Sequence, residues 1–386
     1  MKSKILTLFG LIIIVFVSQD IWVTYSPILT NVATLTGTSV GLLGLLAIVY
    51  PIVFLVLTIP VGLLLDKNFK LWLSFGSILT FAGGALRIVL PHTYIWLFTF
   101  QLLGAIGQPF LLNSFALFAS TYYEKRKSIV ISVLSFSMYL GTIFALGAGE
   151  YFYKSGGLYQ VFLPTAILSI AGIILYLAGL TSLEGKQSGS TISPVKGMKF
   201  AIKQRNLWVL GIILGLGVAA FDNLSTWLQP VLQTINIGSS AGTVVALTLI
   251  VGLAGILVIP TIVSKRQFRT FYLRAAALTV LLIFVTLGFL TTKVTLYVLL
   301  PVGGLVMLPA YPIINEWISK FYSTDKQGIA SGFMAFVSRV LSVVFTLSAL
   351  VVLSTVTGYF LFLAVLILGA VVFTFLLPKD KGVPTL

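Results

Sequence analysis

Hydrophobic residues along the chain gather into twelve long runs that are separated by short polar connections. Each run offers the roughly 20 apolar residues with which a helix crosses a hydrocarbon core of about 30 Å. The runs are continuous, unlike the short alternating segments of membrane β-barrels, and in lipid a continuous run satisfies its backbone by being helical. The pattern predicts an all-α membrane protein with 12 transmembrane helices, near residues 5–30, 41–65, 71–90, 94–119, 128–150, 160–181, 206–231, 242–263, 271–291, 295–318, 327–353 and 356–377.

Composition supports this class, because 58% apolar and only 9% charged residues leave too little polar surface for a soluble globule. The first run is longer than the apolar region of a cleavable signal, so we expect it to be retained as the first span. The chain has no Cys, which excludes disulfides and thiol chemistry.

Basic residues collect on alternate connections. With the N-terminus inside, all of the 24 Lys and Arg fall on the inner side except Lys154 and Lys293, which fall outside, and Arg87 and Arg339, which fall within spans. The positive-inside rule therefore predicts a multi-pass plasma membrane protein with both termini in the cytoplasm. The net charge of +15 then reflects topology. We expect contact with anionic membrane lipids and no nucleic acid binding, since the bases are scattered over many short loops.

An internal repeat divides the chain into two halves. Asp20 and Pro27 in the first span have counterparts in Asp222 and Pro230 in the seventh, and a similar Ile-Pro step leads into a basic loop after spans 2 and 8. This repeat predicts two pseudo-symmetric six-helix bundles of a secondary transporter, with a site between the halves and alternating access. The bundles are expected at 1–181 and 206–386, joined by a cytoplasmic linker at 182–205.

The loop after span 2 carries a motif. Residues Gly62 to Lys70 (GLLLDKNFK) resemble the Gly, Asp and basic loop motif of the major facilitator superfamily, although Phe69 stands where that family usually has a second Gly. The resemblance implies the major facilitator fold and a gating latch formed by Asp66, Lys67 and Lys70, with Asp66 beside a helix N-terminus. The alternative is a solvated loop whose charges only set topology.

Several spans resemble a narrower family, the feline leukaemia virus subgroup C receptor-related transporters of haem, choline and ethanolamine. The matching segments are short and scattered, which suggests a distant relative. They are Trp22–Ile28, Val49–Pro51, Leu64–Lys67, Gly83–Arg87, Gly107–Asn113, Leu224–Gln229 and Leu308–Pro312, followed by Glu316. Carried over by position, the resemblance nominates Trp22, Gln108, Phe221 and Asp222 as cavity-facing. Asn113, in one of these segments, is a further candidate for binding the substrate. Two residues depart from the family: an acid, Asp20, precedes Trp22, and Asp222 lies where the family tends to have uncharged residues.

The free-energy cost of placing the acids Asp20 and Asp222 within membrane spans also points to a functional site. A charge near the bilayer centre costs about 2.5–3.5 kcal/mol on insertion scales, so a retained one usually faces a cavity or a partner. If Asp20 and Asp222 face a cavity, they suit an organic cation, with Trp22, Tyr25, Phe221 and Trp227 as aromatic walls and Gln108 as a hydrogen-bonding group. Alternatively, Arg87 or Arg339 neutralises each acid within the protein.

Other charged residues keep further hypotheses open. Arg339, near mid-membrane in span 11, could anchor a carboxylate, which would favour an organic anion or a haem-like or drug-like amphipathic solute. Asp20, Asp222 and Glu316 are candidates for coupling to a proton or sodium ion, although Glu316 is more simply explained by pairing with nearby bases. Glu150 and Lys154 are expected to form an ion pair at the outer rim. His92 is expected to be a solvated loop residue.

Some function classes lack support in the sequence. A Walker-type phosphate loop is absent, so ATP is not the expected energy source. Paired acids, an activated nucleophile or a metal cluster are also missing at recognisable spacing, so we predict no enzyme, no catalytic residues, no metal and no cofactor. The sequence favours a monomeric transporter of a small solute, best an organic cation or choline-like amine. A receptor or lipid scramblase on the same bundle is the rival class and would show no saturable solute flux.

Overall fold

The computed structural model describes residues 2–180, 199–322 and 324–377, and within these ranges the chain is helical without any β-strand. Thirteen α-helices within the described residues have defined bounds, with short 3-10 turns at several junctions. They are α1 (Lys2–Val23), α2 (Leu29–Thr36), α3 (Val40–Lys67), α4 (Phe69–Ala85), α5 (Tyr94–Tyr122), α6 (Lys127–Leu180), α7 (Arg205–Gln233), α8 (Ala241–Arg266), α9 (Arg269–Phe289), α10 (Lys293–Met307), α11 (Ala310–Phe321), α12 (Thr324–Ser348) and α13 (Val356–Thr374).

The number of membrane crossings follows from the lengths of these helices. Within the described residues, 11 helical stretches are long and apolar enough to span a bilayer. One of them, Ile129–Leu180, has 52 residues, about twice the length that a single crossing needs. It bends at Gly156 and Gly157, and Gly157 has a φ of 70°, which only glycine adopts readily. This stretch therefore holds two crossings, and the predicted all-α class with 12 transmembrane helices is confirmed.

The chain separates into two compact units, residues 1–191 and 192–386. Most of the predicted linker, at residues 181–198, lies outside the described residues. In unit 1, α1 packs along α6 while α4 and α3 pack on α5. In unit 2, α7 packs on α12 and α13, α8 on α10, and α9 on α13.

Glycines allow the closest of these helix contacts. A Cβ atom at Gly10 would overlap the backbone of Tyr176, and one at Gly141 would overlap the carbonyl of Phe16, so α1 approaches α6 backbone to backbone. Small residues at such crossings are the usual way in which membrane helices gain packing energy without a hydrophobic driving force.

The first span differs from the continuous helix that the apolar run predicts. Helix α1 ends at Val23, residues Ser26–Ile28 form a 3-10 turn, and α2 continues from Leu29. Pro27 explains the interruption, because it lacks an N–H donor and disfavours helical geometry at the residue before it. Helix α7, by contrast, continues through Pro230 to Gln233. Asp20 therefore lies one turn before a break, whereas Asp222 lies within a continuous helix.

Candidate functional site

Asp20 is buried within unit 1 and bonded to hydroxyl groups. The residue is only 2% exposed. Thr165 from the second half of α6 donates a short hydrogen bond to Oδ2, and the hydroxyl of Thr24 lies 3.4 Å from Oδ1. Arg87, one of the two bases expected as a partner for either acid, forms no direct ion pair with Asp20 in the part of the chain that the structure describes.

Arg87 lies in the 3-10 turn Leu86–Ile88 after α4 and is completely buried. Its guanidinium carbon lies 4.7 Å from the centre of the Phe162 ring. Among the described residues, none of its three side-chain nitrogens makes a hydrogen bond of good geometry, although the hydroxyl of Tyr25 interacts with the guanidinium. Its charge nevertheless acts on Asp20, Tyr25 and Tyr50, so these groups share one polar region in unit 1.

The predicted aromatic residues of span 1 are packed inside unit 1. Trp22 donates its indole N–H to the carbonyl of Ala47 on α3 at 3.1 Å. Tyr25 is 1% exposed and meets the Phe162 ring edge-on at 5.9 Å. A solute would reach the Tyr25 ring only in another conformation of unit 1, so its role as an aromatic wall stays a prediction.

Gln101 on α5 is a central residue of this region that the sequence did not single out as a site residue. Its Nε2 donates to the carbonyls of Ile21 and Leu46 at 3.0 and 2.9 Å, and the carbonyl of Trp22 lies 3.3 Å away. The break after α1 frees the carbonyls of Ile21 and Trp22 from their helical partners, and Gln101 supplies the missing donor. A glutamine in an apolar span was the available signal.

The other two unit 1 candidates lie further along α5. Asn113 donates to the carbonyl of Thr58 on α3 at 2.9 Å, so its amide links two helices. Gln108 is 6% exposed and lies five residues earlier on the same helix. Their proposed contact with a solute stays a prediction.

Asp222 and Arg339 form an ion pair within unit 2. Nη1 of Arg339 lies 3.4 Å from Oδ2 of Asp222, and Ser342, one turn later on α12, donates a short hydrogen bond to the same oxygen. The distance exceeds the 2.7–2.9 Å that is typical of a strong charged hydrogen bond. The Arg339 side chain is 29% exposed and that of Asp222 is 5% exposed, so the base is the accessible member of the pair.

The aromatic candidates of unit 2 differ in accessibility. Phe221 is partly exposed. Trp227 is completely buried and donates its indole N–H to the carbonyl of Thr346 on α12 at 2.8 Å. Contact between Trp227 and a solute would require another conformation of unit 2, and its predicted role as a wall remains untested.

Glu316 belongs to a polar cluster on three unit 2 helices, on the side that the basic residues predict to be the inner one. It pairs with Arg269, at 2.7 Å between Nη2 and Oε1, and accepts a hydrogen bond of 2.6 Å from Ser264. Arg269 is 3% exposed, although it was counted only as a topogenic base in the sequence. The buried Arg269 is thus the ion-pair partner of Glu316. The role of Glu316 in coupling stays a prediction.

The remaining candidates lie at the ends of unit 1 helices. Asp66 and Lys67 end α3, while Lys70 lies in the first turn of α4, whose N-cap is Asn68. At the opposite ends, Lys154 pairs with Glu150 at 3.1 Å, and His92 is an exposed loop residue whose ring meets Tyr159.

The structure therefore gathers Asp20, Tyr25, Arg87 and Gln101 in unit 1, and Asp222, Arg339 and Ser342 in unit 2. Gln108, Asn113 and the loop residues lie apart from the first group along their helices. Within the described residues, His, Asp and Glu form no group that could hold a metal ion.

Comparisons with known proteins agree on one superfamily. Residues 11–346 match the family model of the Major Facilitator Superfamily. Solute carrier family 49 member A3 of Xenopus tropicalis is 26% identical over 242 residues, which cover 55% of this chain and 48% of that protein. The Danio rerio protein of the same name is 24% identical over 264 residues, covering 64% and 56%. The chain thus spans about half the length of the curated relatives that it matches.

Solved structures show the same fold at low identity. A bacterial homologue of the human lysosomal transporter Spinster, in an inward-facing and unoccupied conformation, superposes with a TM-score of 0.74 at 13% identity, covering 99% of this chain and 98% of that one. A D-xylose-proton symporter also gives 0.74, at 12% identity and 99% coverage of both chains. These two likenesses establish the fold and leave the solute open.

Proposed function

The chain belongs to the major facilitator superfamily, and from this premise we propose that it carries a small organic cation, of the choline or amine type, across the membrane by alternating access. The coarser part of this statement, a multi-pass membrane transporter with the major facilitator fold, rests on the family match and on the two solved transporters. The relatives in solute carrier family 49 are distant, in keeping with the resemblance to the leukaemia virus receptor-related family.

The accessible ion pair between Asp222 and Arg339 is the observation that carries the proposal. A buried carboxylate needs a cationic or hydrogen-bonding partner, and removing one partner of such a pair is costly unless another takes its place. Ser342 keeps one hydrogen bond to Asp222 while Arg339 is the more exposed and more distant partner. An organic cation that displaces Arg339 would keep the carboxylate neutralised, so binding and release require no bare buried charge.

Aromatic surface near Asp222 supports a cation that is partly apolar. Phe221 precedes Asp222 on α7 and is partly exposed. Quaternary and alkyl ammonium groups gain roughly 0.5–2 kcal/mol from an aromatic face, which favours choline-like amines over inorganic cations.

An organic anion, or a haem-like or drug-like amphipathic solute with a carboxylate, is the second candidate. The greater exposure of Arg339, 29% against 5% for Asp222, specifically favours it. In that case the solute carboxylate would replace Asp222 as the partner of Arg339. The guanidinium binds carboxylates through two parallel hydrogen bonds, so Lys would replace it poorly.

The remaining parts of the proposal concern the coupling ion, the inner gate, and the membrane location and oligomeric state of the protein. Asp20, which accepts hydrogen bonds from the hydroxyl groups of Thr165 and Thr24, is our leading candidate for coupling to a proton or sodium ion, with Asp222 and Glu316 as the others. We assign the inner gate to Asp66, Lys67 and Lys70, and place a monomer in the plasma membrane with both termini in the cytoplasm.

The proposal is tested by binding and flux with the purified protein. Thermal shifts in detergent would be measured with choline and related amines, with carboxylates and with haem, for wild type, Asp222→Asn and Arg339→Gln. A ligand at 100 times its Kd stabilises the folded state by about 2.7 kcal/mol, which a thermal shift resolves. We expect amines to stabilise wild type, to fail with Asp222→Asn, and to enter proteoliposomes in a saturable manner.

Glu150→Gln serves as the matched control, because Glu150 also pairs with a base, Lys154, but at the exposed rim of unit 1. It should bind amines as wild type does. Stabilisation by carboxylates that is lost in Arg339→Gln and kept in Asp222→Asn would overturn the cation proposal in favour of the anion. Binding without saturable flux would instead favour a receptor or a lipid scramblase.

A further inference from the structure

Unit 1 contains a donor-rich polar site that takes no part in the proposed binding of an organic cation at Asp222, although Asp20 within it is also our coupling candidate. Four helical segments contribute to it: the end of α1, α3, the turn Leu86–Ile88 and the second half of α6. Asp20, Tyr25, Tyr50 and Arg87 are each at most 2% exposed there. The charge of Arg87 acts on the other three, and Phe162 covers one face of its guanidinium.

Hydrogen-bond donors in this site exceed the acceptors. Within the described residues, the Nε, Nη1 and Nη2 atoms of Arg87 and the hydroxyls of Tyr25 and Tyr50 make no hydrogen bond of good geometry, although the Tyr25 hydroxyl interacts with the guanidinium of Arg87. A guanidinium carries five N–H groups and no acceptor, and each buried unpartnered donor is costly. The ring of Phe162 contacts the guanidinium through its π face, which leaves the N–H groups at its edge unoccupied.

Asp20 does not supply the missing acceptor. Its Oδ2 accepts a hydrogen bond from Thr165, and its Oδ1 lies 3.4 Å from the hydroxyl of Thr24. The carboxylate thus balances part of the charge of Arg87 from a distance, while the N–H groups of Arg87 require another acceptor. A ligand that only accepts hydrogen bonds fits this site better than one that must also donate.

We propose that Arg87, with the hydroxyls of Tyr25 and Tyr50, binds a small monovalent anion of the halide class. Arg87 follows the outer end of α4 in the predicted topology, so the anion would reach it from the outer side of the membrane. The negative charge of Asp20 weakens the binding, because it lies within electrostatic reach of the same site. The site belongs to unit 1, whereas the Asp222–Arg339 pair belongs to unit 2.

The test measures chloride binding to the purified protein in the absence of any organic solute. Sodium chloride would replace sodium gluconate at constant ionic strength while the thermal midpoint is followed. We expect saturable stabilisation of wild type and none for Arg87→Gln. Tyr50→Phe loses a donor that has no protein partner, so the fold should persist while the chloride Kd rises roughly fivefold, the value of one hydrogen bond.

Asp20→Asn gives the sharpest prediction, because removing its charge should lower the chloride Kd, whereas a merely damaged protein would bind less. Arg274→Gln is the matched control. Arg274 also lies 4.7 Å from a phenylalanine ring, that of Phe375, but its nitrogens donate to the carbonyl of Thr374, so chloride binding should be unchanged.

Diffraction from wild-type crystals grown in bromide provides a second measurement that does not depend on variants. An anomalous peak beside Arg87 is the expected result. Equal thermal midpoints in chloride and gluconate, or ordered water beside Arg87 without bromide, would overturn the proposal.

Discussion

Two tryptophans hold the acid-bearing helices in place through their indole N–H groups. Trp22 donates to the carbonyl of Ala47, and Trp227 donates to the carbonyl of Thr346. The sequence suggested both as aromatic walls of a solute site. Each indole combines a large apolar surface with one donor, and a buried donor requires a partner. In this structure the donor of each tryptophan links two helices within its own unit.

Replacing Trp227 with Phe should therefore destabilise unit 2 even without a solute. The change removes the N–H, leaves the buried carbonyl of Thr346 without that donor and opens space beside α12. We expect a loss of about 1–3 kcal/mol from the hydrogen bond, visible as a lower thermal midpoint of the purified protein.

Trp208→Phe is the matched control for this prediction. Trp208 also donates to a backbone carbonyl, that of Ile202 at 2.9 Å, but it is 41% exposed, so water or lipid headgroups can replace the bond. Its thermal midpoint should change little. An equal fall of the thermal midpoint in Trp227→Phe and Trp208→Phe would show that the buried hydrogen bond of Trp227 stabilises the protein no more than the exposed one of Trp208.

The partners of the two acids show where sequence reasoning reached its limit. Arg87 and Arg339 were expected as alternative partners of the two acids, because few charges occur within spans and a charge there needs a counter-charge, and the structure pairs Arg339 with Asp222. Thr165 and Ser342 were not foreseen, since hydroxyl residues are common in apolar helices and usually bond to their own backbone. Which hydroxyl faces an acid depends on how the helices rotate against each other, and the apolar pattern does not encode that rotation.

At the level of secondary structure elements, the interrupted first span depends on Gln101. The amide of Gln101 joins α5 to the end of α1 and to α3 through carbonyls of Ile21, Trp22 and Leu46. Broken membrane helices persist only where neighbouring groups satisfy the freed backbone. Gln101 thus fixes the segment that carries Asp20, Trp22 and Tyr25.

Gln101→Leu should loosen this junction. The variant keeps a similar side-chain volume but removes the donor, which leaves buried carbonyls at the break without a partner. Because each unsatisfied buried group costs about 1–3 kcal/mol, we expect a large fall of the thermal midpoint and faster amide hydrogen exchange around residues 21–28.

Gln160→Leu is the control for this change, because Gln160 is an exposed glutamine near the bend of α6. It should leave the thermal midpoint and the exchange of residues 21–28 unaltered. Normal exchange in Gln101→Leu would mean that Pro27 and helix packing hold the break without the amide.

The lengths of the apolar runs predicted where the helices lie better than they predicted where the helices are interrupted. The predicted spans at 128–150 and 160–181 correspond to the two halves of α6, because the Gly156–Gly157 pair divides one long apolar stretch. Pro27 and Pro230 occupy similar offsets from Asp20 and Asp222, yet only the first accompanies a break. In both places proline removes one backbone N–H donor, so whether the helix breaks there also depends on the packing of neighbouring residues.

For the whole molecule, the repeat accounts for the fold and only partly for the site. Both units place an acid in their first long helix, but unit 1 bonds it to Thr165 of its last crossing, whereas unit 2 pairs it with Arg339 and Ser342 of α12. Packing of helices depends on apolar and small residues that both halves share. The polar partners are single residues that differ between the halves, so each unit can perform a different task.

Orientation in the membrane is the property of the whole chain that the basic residues predict most directly. Because the chain contains no Cys, a single introduced cysteine can be labelled without background. His92 lies in an exposed loop and Lys125 in the exposed turn Glu124–Arg126, at opposite ends of α5. The positive-inside rule places His92 outside and Lys125 in the cytoplasm. An impermeant maleimide on intact cells should therefore label His92→Cys almost completely and Lys125→Cys only after permeabilisation, while the unmodified protein stays unlabelled. Labelling of Lys125→Cys but not His92→Cys in intact cells would invert the topology, and it would place the donor-rich site around Arg87 at the cytoplasmic side.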